Sequence, residues 1–100
     1  MKMLFFGSPS CETCQVMLLM LADDKIISNS DIDFYYIDAY AEDTQDFCDE
    51  HDVDDLPRVK IYDNSVLVFD RIGIFNPTEL YQFTKEGNDD GSKRKTERSG

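Results

Sequence analysis

Two cysteines separated by two residues carry the strongest chemical signal in this 100-residue sequence. Cys11 and Cys14 follow one short apolar segment and open a longer one, which predicts that they lie at the start of a helix. The free N–H groups and the positive dipole end of a helix start favour an anion. Because only the thiolate attacks a disulfide, Cys11 is predicted to be the nucleophile of thiol–disulfide exchange. Cys14, three residues later on the same helix face, would resolve the mixed disulfide.

A second pair of possible metal ligands supports a different chemistry. Cys48 and His51 are separated by two residues, and together with Cys11 and Cys14 they would complete a Cys₃His zinc set. The 33-residue gap between the pairs is long for a zinc ribbon, whose ligands lie on short turns. We therefore predict that Cys48 packs in the core, as buried thiols usually do, that His51 lies on the surface near a helix end, and that the protein binds no metal.

The charge of the chain limits its partners. The sequence has 21 acidic and 10 basic residues, for a net charge of -11. Residues 1–87 carry -12 and residues 88–100 carry +1. A body this acidic repels phosphates, so nucleic acid is excluded as a partner. Residues 42–55 contain eight carboxylates and no base, which predicts a solvated face or, alternatively, a docking surface for a basic partner.

Cysteine number and hydrophobic run length indicate the compartment. Three cysteines do not form a disulfide framework, which normally needs an even and larger number. The longest apolar run, residues 16–22, has seven residues, far fewer than the roughly 18 to 20 that span a membrane. No convincing secretion signal is present. We therefore expect a cytoplasmic, monomeric protein that uses no cofactor and does not bind a membrane.

Hydrophobic patterns predict the elements that position the cysteines. Strands are predicted at residues 3–6, 32–38, 59–62 and 66–69. Helices are predicted at residues 11–24, where Ser10 is the N-cap, at 42–51, and from Asn76 to Gly87. This β-α-β-α-β-β-α order predicts an α/β fold, with one four-stranded mixed sheet and helices on both faces. The domain would span residues 1–87, followed by a disordered tail at residues 88–100.

Three separated features resemble the thioredoxin-like superfamily, in the minimal form that lacks the extra N-terminal strand and helix. They occur in the family's order across residues 1–87: Cys11-Glu12-Thr13-Cys14 after the first strand, Leu56-Pro57-Arg58-Val59 before the third, and Arg71-Ile72-Gly73 after the fourth. The resemblance implies that the bond before Pro57 is cis and that Pro57 faces the dithiol. It also implies that the backbone of Leu56 pairs with a bound substrate strand and that Gly73 leaves room for the partner.

The sequence departs from the thioredoxin pattern around the dithiol. Thioredoxins usually have Trp before the first cysteine and Gly-Pro between the two, whereas this chain has Ser10 and Glu12-Thr13 and contains no Trp. The family's buried acid, which helps move the proton of the resolving thiol, corresponds here to Phe5. The negative charge of Glu12 beside Cys11 would also oppose the thiolate.

The residues and the resemblance together predict a thiol–disulfide oxidoreductase that reduces protein disulfides through Cys11 and Cys14. Its electron donor would be a reductase or glutathione. A glutaredoxin-like, glutathione-dependent reductase is one alternative, because glutaredoxins share the minimal topology. It is less favoured because glutathione is an anion and only Arg58 is available near the site to hold it. The second alternative is a non-enzymatic module. It would either bind zinc through Cys11, Cys14, Cys48 and His51 or dock to a partner through its acidic face.

Overall fold

A computed structural model describes residues 1–84, which form a four-stranded mixed sheet covered by helices on both faces. The strands are β1 (Lys2–Gly7), β2 (Asp33–Asp38), β3 (Arg58–Asp63) and β4 (Val66–Ile72), in the spatial order β2-β1-β3-β4. β1 and β2 are parallel, and the other two pairs are antiparallel. The predicted fold class is confirmed. Gly87, the predicted domain boundary and the predicted tail at residues 88–100 lie outside the described residues.

Two α-helices and two 3₁₀ segments connect or follow the strands. α1 spans Glu12–Asp23 and α2 spans Gln45–Glu50, which is preceded by a 3₁₀ turn at Glu42–Thr44. The closing segment Pro77–Phe83 is a 3₁₀ helix, where the sequence predicted an α-helix. Asn76 caps it as predicted, by accepting a hydrogen bond from the Thr78 amide at 3.0 Å. The carboxylate of Glu79, in the first turn of this segment, pairs with Arg71. No helix among residues 1–84 is both long and apolar enough to cross a membrane.

The alternating side chains of β1 divide the core into two layers. Met3 and Phe5 pack on one face of the sheet, beside Cys14 and other residues of α1. Leu4 and Phe6 pack on the opposite face, beside Cys48 of α2. The closing 3₁₀ helix covers the same face as α1, since Leu80 belongs to the first cluster. All four of these β1 residues are 5% exposed or less, as is usual for a strand whose residues are all apolar and which is covered on both faces.

Only one side of α1 is buried, although residues 16–22 of this helix are all apolar. Cys14, Met17 and Leu21 are fully buried, whereas Val16 is 47% exposed and Leu19 is 66% exposed. Seven consecutive apolar residues surround a helix, so those that point away from the sheet remain in solvent.

An ion pair joins β3 to β4 and also holds the loop that enters β3. The guanidinium of Arg58 donates two hydrogen bonds to Asp70, at 2.8 and 2.9 Å, and a third to the carbonyl oxygen of Asp52 at 3.0 Å. This bidentate hydrogen bonding from Arg58 lowers the pKa of Asp70 below its usual value. The loop before β3 is therefore tied to the sheet through one side chain.

We predict that Asp70→Asn destabilises the protein at pH 7 by about 0.5 to 1 kcal/mol, because it removes the charge from a bidentate ion pair that is partly exposed to solvent. A carboxyl whose pKa is lowered in the folded state contributes stability above its unfolded pKa of about 3.9, and this contribution is lost as pH falls through the folded pKa. The difference between the wild type and the variant should therefore shrink between pH 7 and pH 3. Urea unfolding at both pH values measures it.

The matched control is Asp63→Asn, on the same hairpin, where the carboxylate is exposed and has no partner among residues 1–84. It should change the free energy of unfolding by less than about 0.5 kcal/mol. An Asp70→Asn cost that is the same at pH 3 and pH 7 would contradict the role assigned to the charge.

Candidate active site

Cys11 and Cys14 lie together at the start of α1, bonded as a disulfide with their Cα atoms 5.2 Å apart. Cys14 is completely buried, whereas Cys11 is partly exposed at the edge of the same core cluster. The two sulfurs therefore differ in access, because a solvent-borne partner can approach only Cys11. The predicted proximity of the two cysteines is confirmed.

The sulfur of Cys11 itself caps α1, although the sequence predicted Ser10 in that role. Cys11 has extended backbone angles, and its Sγ accepts a hydrogen bond from the Cys14 amide at 3.2 Å. The hydroxyl of Thr13 lies 3.3 Å from the same sulfur. Ser10 does not cap the helix, because its amide and its hydroxyl both bond to the hydroxyl of Ser8. A thiolate at Cys11 would thus meet an N–H donor and the positive end of a helix.

Ser8 organises the loop before the cysteines, a role that sequence reasoning missed. Its side chain is 2% exposed, and its carbonyl oxygen accepts hydrogen bonds from the Cys11 amide at 3.1 Å and from Gln15 Nε2 at 3.0 Å. These bonds connect the end of β1 to the first two turns of α1. A serine that follows a strand and precedes a proline is an ordinary turn residue, so the sequence held no signal for this function.

Gly7, at the end of β1, allows α1 to approach the sheet closely. A Cβ atom at this position would lie 2.8 Å from Cε1 of Phe5 and 3.3 Å from Cβ of Cys14. The fully buried Phe5 ring therefore lies beside Cys14, and it stacks on Tyr36 with ring centroids 5.7 Å apart. Phe5 thus occupies the sheet side of Cys14 with an apolar ring and supplies no proton acceptor there.

The segments predicted to bind substrate meet at the same end of the sheet. The Leu56–Pro57 bond is cis, as predicted, and Pro57 is buried immediately before β3. Arg58 pairs with Phe6, the neighbour of Gly7, so Pro57 lies at the end of the sheet where β1 leads into the dithiol. The Gly73 amide donates to the carbonyl oxygen of Pro57 at 2.8 Å. Arg71 and Ile72 belong to β4, so only Gly73 follows that strand.

The surfaces of Leu56 and Gly73 remain available to a partner. The side chain of Leu56 packs on both core clusters, but its backbone N–H and C=O make no hydrogen bond with residues 1–84. Gly73 has a φ of 87°, and an added Cβ there would meet no atom within 4 Å. An unpaired backbone beside an open glycine suits the addition of an extended strand. The roles of Leu56, Pro57 and Gly73 in binding stay predictions.

The four candidate zinc ligands are not brought together. Cys48 is 4% exposed and packs with Leu4 and Phe6 on the face of the sheet opposite to Cys14. Within the described part of the chain, no group of three His, Cys, Asp or Glu side chains is arranged to hold a metal ion. Burial raises the pKa of the Cys48 thiol, which keeps it protonated at neutral pH.

His51 was predicted to be a surface residue, and the structure places it partly inside. It ends α2, and its ring packs against Phe47 with centroids 4.5 Å apart. Its Nδ1 lies 3.1 Å from the hydroxyl of Tyr62, and its carbonyl oxygen accepts from Lys60 at 2.6 Å. Burial, and then the charge of Lys60, lower the pKa of His51, which favours the neutral ring. His51 therefore has a packing role at the end of α2.

We predict that Gly7→Ala lowers the free energy of unfolding by about 1 to 3 kcal/mol, because the new methyl group overlaps the Phe5 ring. Phe5→Leu removes that ring edge, so the double variant should lose less than the sum of the two single losses. Urea unfolding of the four proteins gives the coupling energy.

Gly73→Ala is the control for this cycle. Its added methyl group meets open space, so only the positive φ opposes it, at a cost of about 1 to 2 kcal/mol. Phe5→Leu should not relieve that cost. Strictly additive losses for Gly7→Ala and Phe5→Leu would show that the methyl–ring overlap does not explain the glycine.

Solved structures of thioredoxins match this fold. Thioredoxin 1 from Thermosipho africanus aligns with a TM-score of 0.70 at 23% identity, covering 92% of this chain and 99% of that one. Oxidised thioredoxin O2 from Arabidopsis thaliana aligns with a TM-score of 0.73 at 14% identity, covering 84% of this chain and 75% of that one. Oxidised mitochondrial thioredoxin 3 from Saccharomyces cerevisiae aligns with a TM-score of 0.66 at 24% identity, covering 85% of this chain and 76% of that one.

The sequence itself gives no match of this kind. No protein-family model matches it, and comparison with curated proteins finds no significant relative. The resemblance to thioredoxins is therefore one of fold, together with the position of a Cys-x-x-Cys pair at disulfide distance. The chain has the thioredoxin fold, as the three sequence features predicted.

Proposed function

We propose that this protein is a thiol–disulfide oxidoreductase that reduces protein disulfides through Cys11 and Cys14. The observation that carries the proposal is the cysteine pair at disulfide distance, with one sulfur reachable and one buried, at the start of the first helix of a thioredoxin fold. A structural disulfide does not require one of its sulfurs to be accessible at a helix start, whereas a redox pair does.

Cys11 carries out the first step. Its thiolate attacks one sulfur of the substrate disulfide, forms a mixed disulfide, and expels the other substrate sulfur as a thiolate. The Cys14 amide and the Thr13 hydroxyl, at 3.2 and 3.3 Å from Cys11 Sγ, stabilise the negative charge before the attack. Glu12, exposed in the first turn of α1, acts against that charge.

Cys14 carries out the second step. After losing its proton, it attacks Cys11 Sγ, releases the second substrate thiolate and leaves the intramolecular disulfide. The two electrons given to the substrate must then be replaced by an external dithiol, for which a reductase is the proposed donor. No Asp or Glu side chain is buried among residues 1–84, so the proton of Cys14 passes to hydroxide or water.

Glutathione is the less favoured donor because the basic residues near the site are already paired. Arg58, the base expected to hold it, makes two hydrogen bonds to Asp70, and Arg71 pairs with Glu79. A tripeptide anion would have to displace these carboxylates. We also propose that the protein acts in the cytoplasm, where thiols are kept reduced, and that it acts as a monomer.

We predict that the two cysteine variants behave differently. Cys11→Ser should be inactive in an insulin-reduction assay in which dithiothreitol is the electron donor, because no nucleophile remains. Cys14→Ser should accumulate a mixed disulfide with a substrate, because the resolving thiol is missing. Non-reducing electrophoresis and intact mass measure the trapped species. Equal trapping by both variants would contradict the assignment of roles.

Cys48→Ala is the matched control, since it removes the third cysteine from the opposite face of the sheet. It should retain activity and lose about 1 kcal/mol of stability through a small cavity. Loss of activity with retained folding, or loss of bound zinc in this variant alone, would instead favour a role for Cys48.

A separate prediction concerns the pH dependence of the second step. Because Cys14 is buried beside Phe5 without a nearby base, its attack should follow hydroxide and accelerate about tenfold per pH unit between pH 6 and 8. Mixing the reduced protein with a peptide disulfide, then acid quenching and measuring intact mass, follows the mixed disulfide through its decay. Cys14→Ser supplies the background rate. A rate that is constant across this range would reveal an internal proton acceptor.

A further inference from the structure

The dithiol lies at the end of the sheet where β1, β2 and β4 end and β3 begins. This end of the sheet is here called the dithiol edge. β1 ends at Gly7 opposite Asp38, the last residue of β2. Arg58, the first residue of β3, pairs with Phe6 of β1 and with Ile72 of β4. The loops that follow β1 and β2, precede β3 and follow β4 therefore all emerge at this border. A partner whose disulfide reaches Cys11 therefore approaches the end of the sheet from which these loops emerge.

Acidic side chains without an ion-pair partner lie in and beside these loops. Glu12 is exposed in the first turn of α1, and Asp38 ends β2. The remaining carboxylates lie beyond β2 and before β3, are exposed, and make no ion pair within residues 1–84: Glu42, Asp43, Asp52, Asp54 and Asp55. Asp54 also interacts with the charge of Arg58, but that guanidinium makes its two carboxylate hydrogen bonds to Asp70.

The basic residues of the described chain do not compensate this charge. Residues 1–84 contain 17 acidic and 5 basic residues. Arg58 is paired with Asp70 and Arg71 with Glu79. Lys60 is 7% exposed and donates to the carbonyl oxygen of His51. No arginine or lysine at the dithiol edge is therefore left without a partner.

The two remaining lysines lie far from the dithiol. Lys2 begins β1, at the opposite end of the strand from Gly7, and lies over the Tyr35 ring. Lys25 follows the C-terminus of α1, a helix of 12 residues whose ends are about 18 Å apart. At physiological salt, where the Debye length is about 8 Å, neither charge is felt at Cys11.

We propose that the dithiol edge selects disulfides flanked by lysine or arginine and rejects disulfides flanked by carboxylates. This inference rests on the proposed function and specifies its substrate class. Uncompensated carboxylates around a reactive sulfur raise the local concentration of cationic partners and lower that of anionic ones. The effect acts mainly on the association rate, so added salt weakens it.

Three small disulfides of different charge test this selection. The reduced protein is mixed with cystamine, which carries two ammonium groups, with neutral 2-hydroxyethyl disulfide, and with dianionic 3,3′-dithiodipropionate. Each rate is divided by that of dithiothreitol with the same disulfide, which removes differences in intrinsic reactivity. The normalised rate for cystamine should exceed that for dithiodipropionate roughly tenfold at 0.05 M salt. The ratio should approach one at 1 M salt, where the Debye length is about 3 Å.

Paired charge variants locate the effect. Asp54→Asn with Asp55→Asn, and separately Glu12→Gln, should each reduce the preference for cystamine about two- to threefold. Asp33→Asn with Asp63→Asn removes two exposed charges from the opposite end of the sheet and should leave the ratio unchanged.

The outcomes separate this inference from the proposed function. Normalised rates that are equal for the three disulfides at 0.05 M salt would overturn the selection while leaving thiol–disulfide exchange intact. Equal losses in the two double variants would also overturn it, because net charge and not the dithiol edge would be responsible. No reaction with any of the three disulfides would overturn the proposed function, and this inference with it.

Discussion

The close packing of the first turn of α1 against the end of β1 determines the geometry of the cysteine pair. Gly7 has no side chain, so the Phe5 ring and Cβ of Cys14 both fill the space beside its Cα atom. This contact buries Cys14 completely, while the hydrogen bonds around Ser8 hold Cys11 at the surface. The unequal access of the two sulfurs therefore follows from the absence of one methyl group in β1.

The strand register then brings distant segments to the same border of the sheet. Antiparallel pairing of β3 with both β1 and β4 places Pro57 and Gly73 next to each other, and a backbone hydrogen bond joins them. Arg58 holds this arrangement in place, because its side chain binds both Asp70 of β4 and the carbonyl oxygen of Asp52 in the loop before β3. The ion pair thus supports the position of the proline without touching either cysteine.

Sequence patterns predicted what depends on local chemistry and missed what depends on tertiary contact. Hydrophobic patterns predicted the strands and helices, and two cysteines between two apolar segments predicted the cysteine pair at a helix start. The cis bond before Pro57 came from the family resemblance alone. Ser10 was wrongly predicted to cap α1. The preference of serine for the N-cap position is local, and it does not include the hydrogen bond that Ser10 makes with Ser8 instead. The exposure of Val16 and Leu19, and the contact at Gly7, depend on where the sheet lies relative to the helix.

The separation of Cys48 from the other two cysteines also restricts the oxidation chemistry of the chain. Three cysteines allow three different intramolecular pairings, and only one of them is compatible with this fold. The sheet stands between Cys48 and the dithiol, with Phe6 packed on one side and Phe5 on the other. Disulfide scrambling would thus require the sheet itself to open. An oxidised molecule that stays folded has a single covalent structure, so oxidation and reduction can be repeated without isomers accumulating.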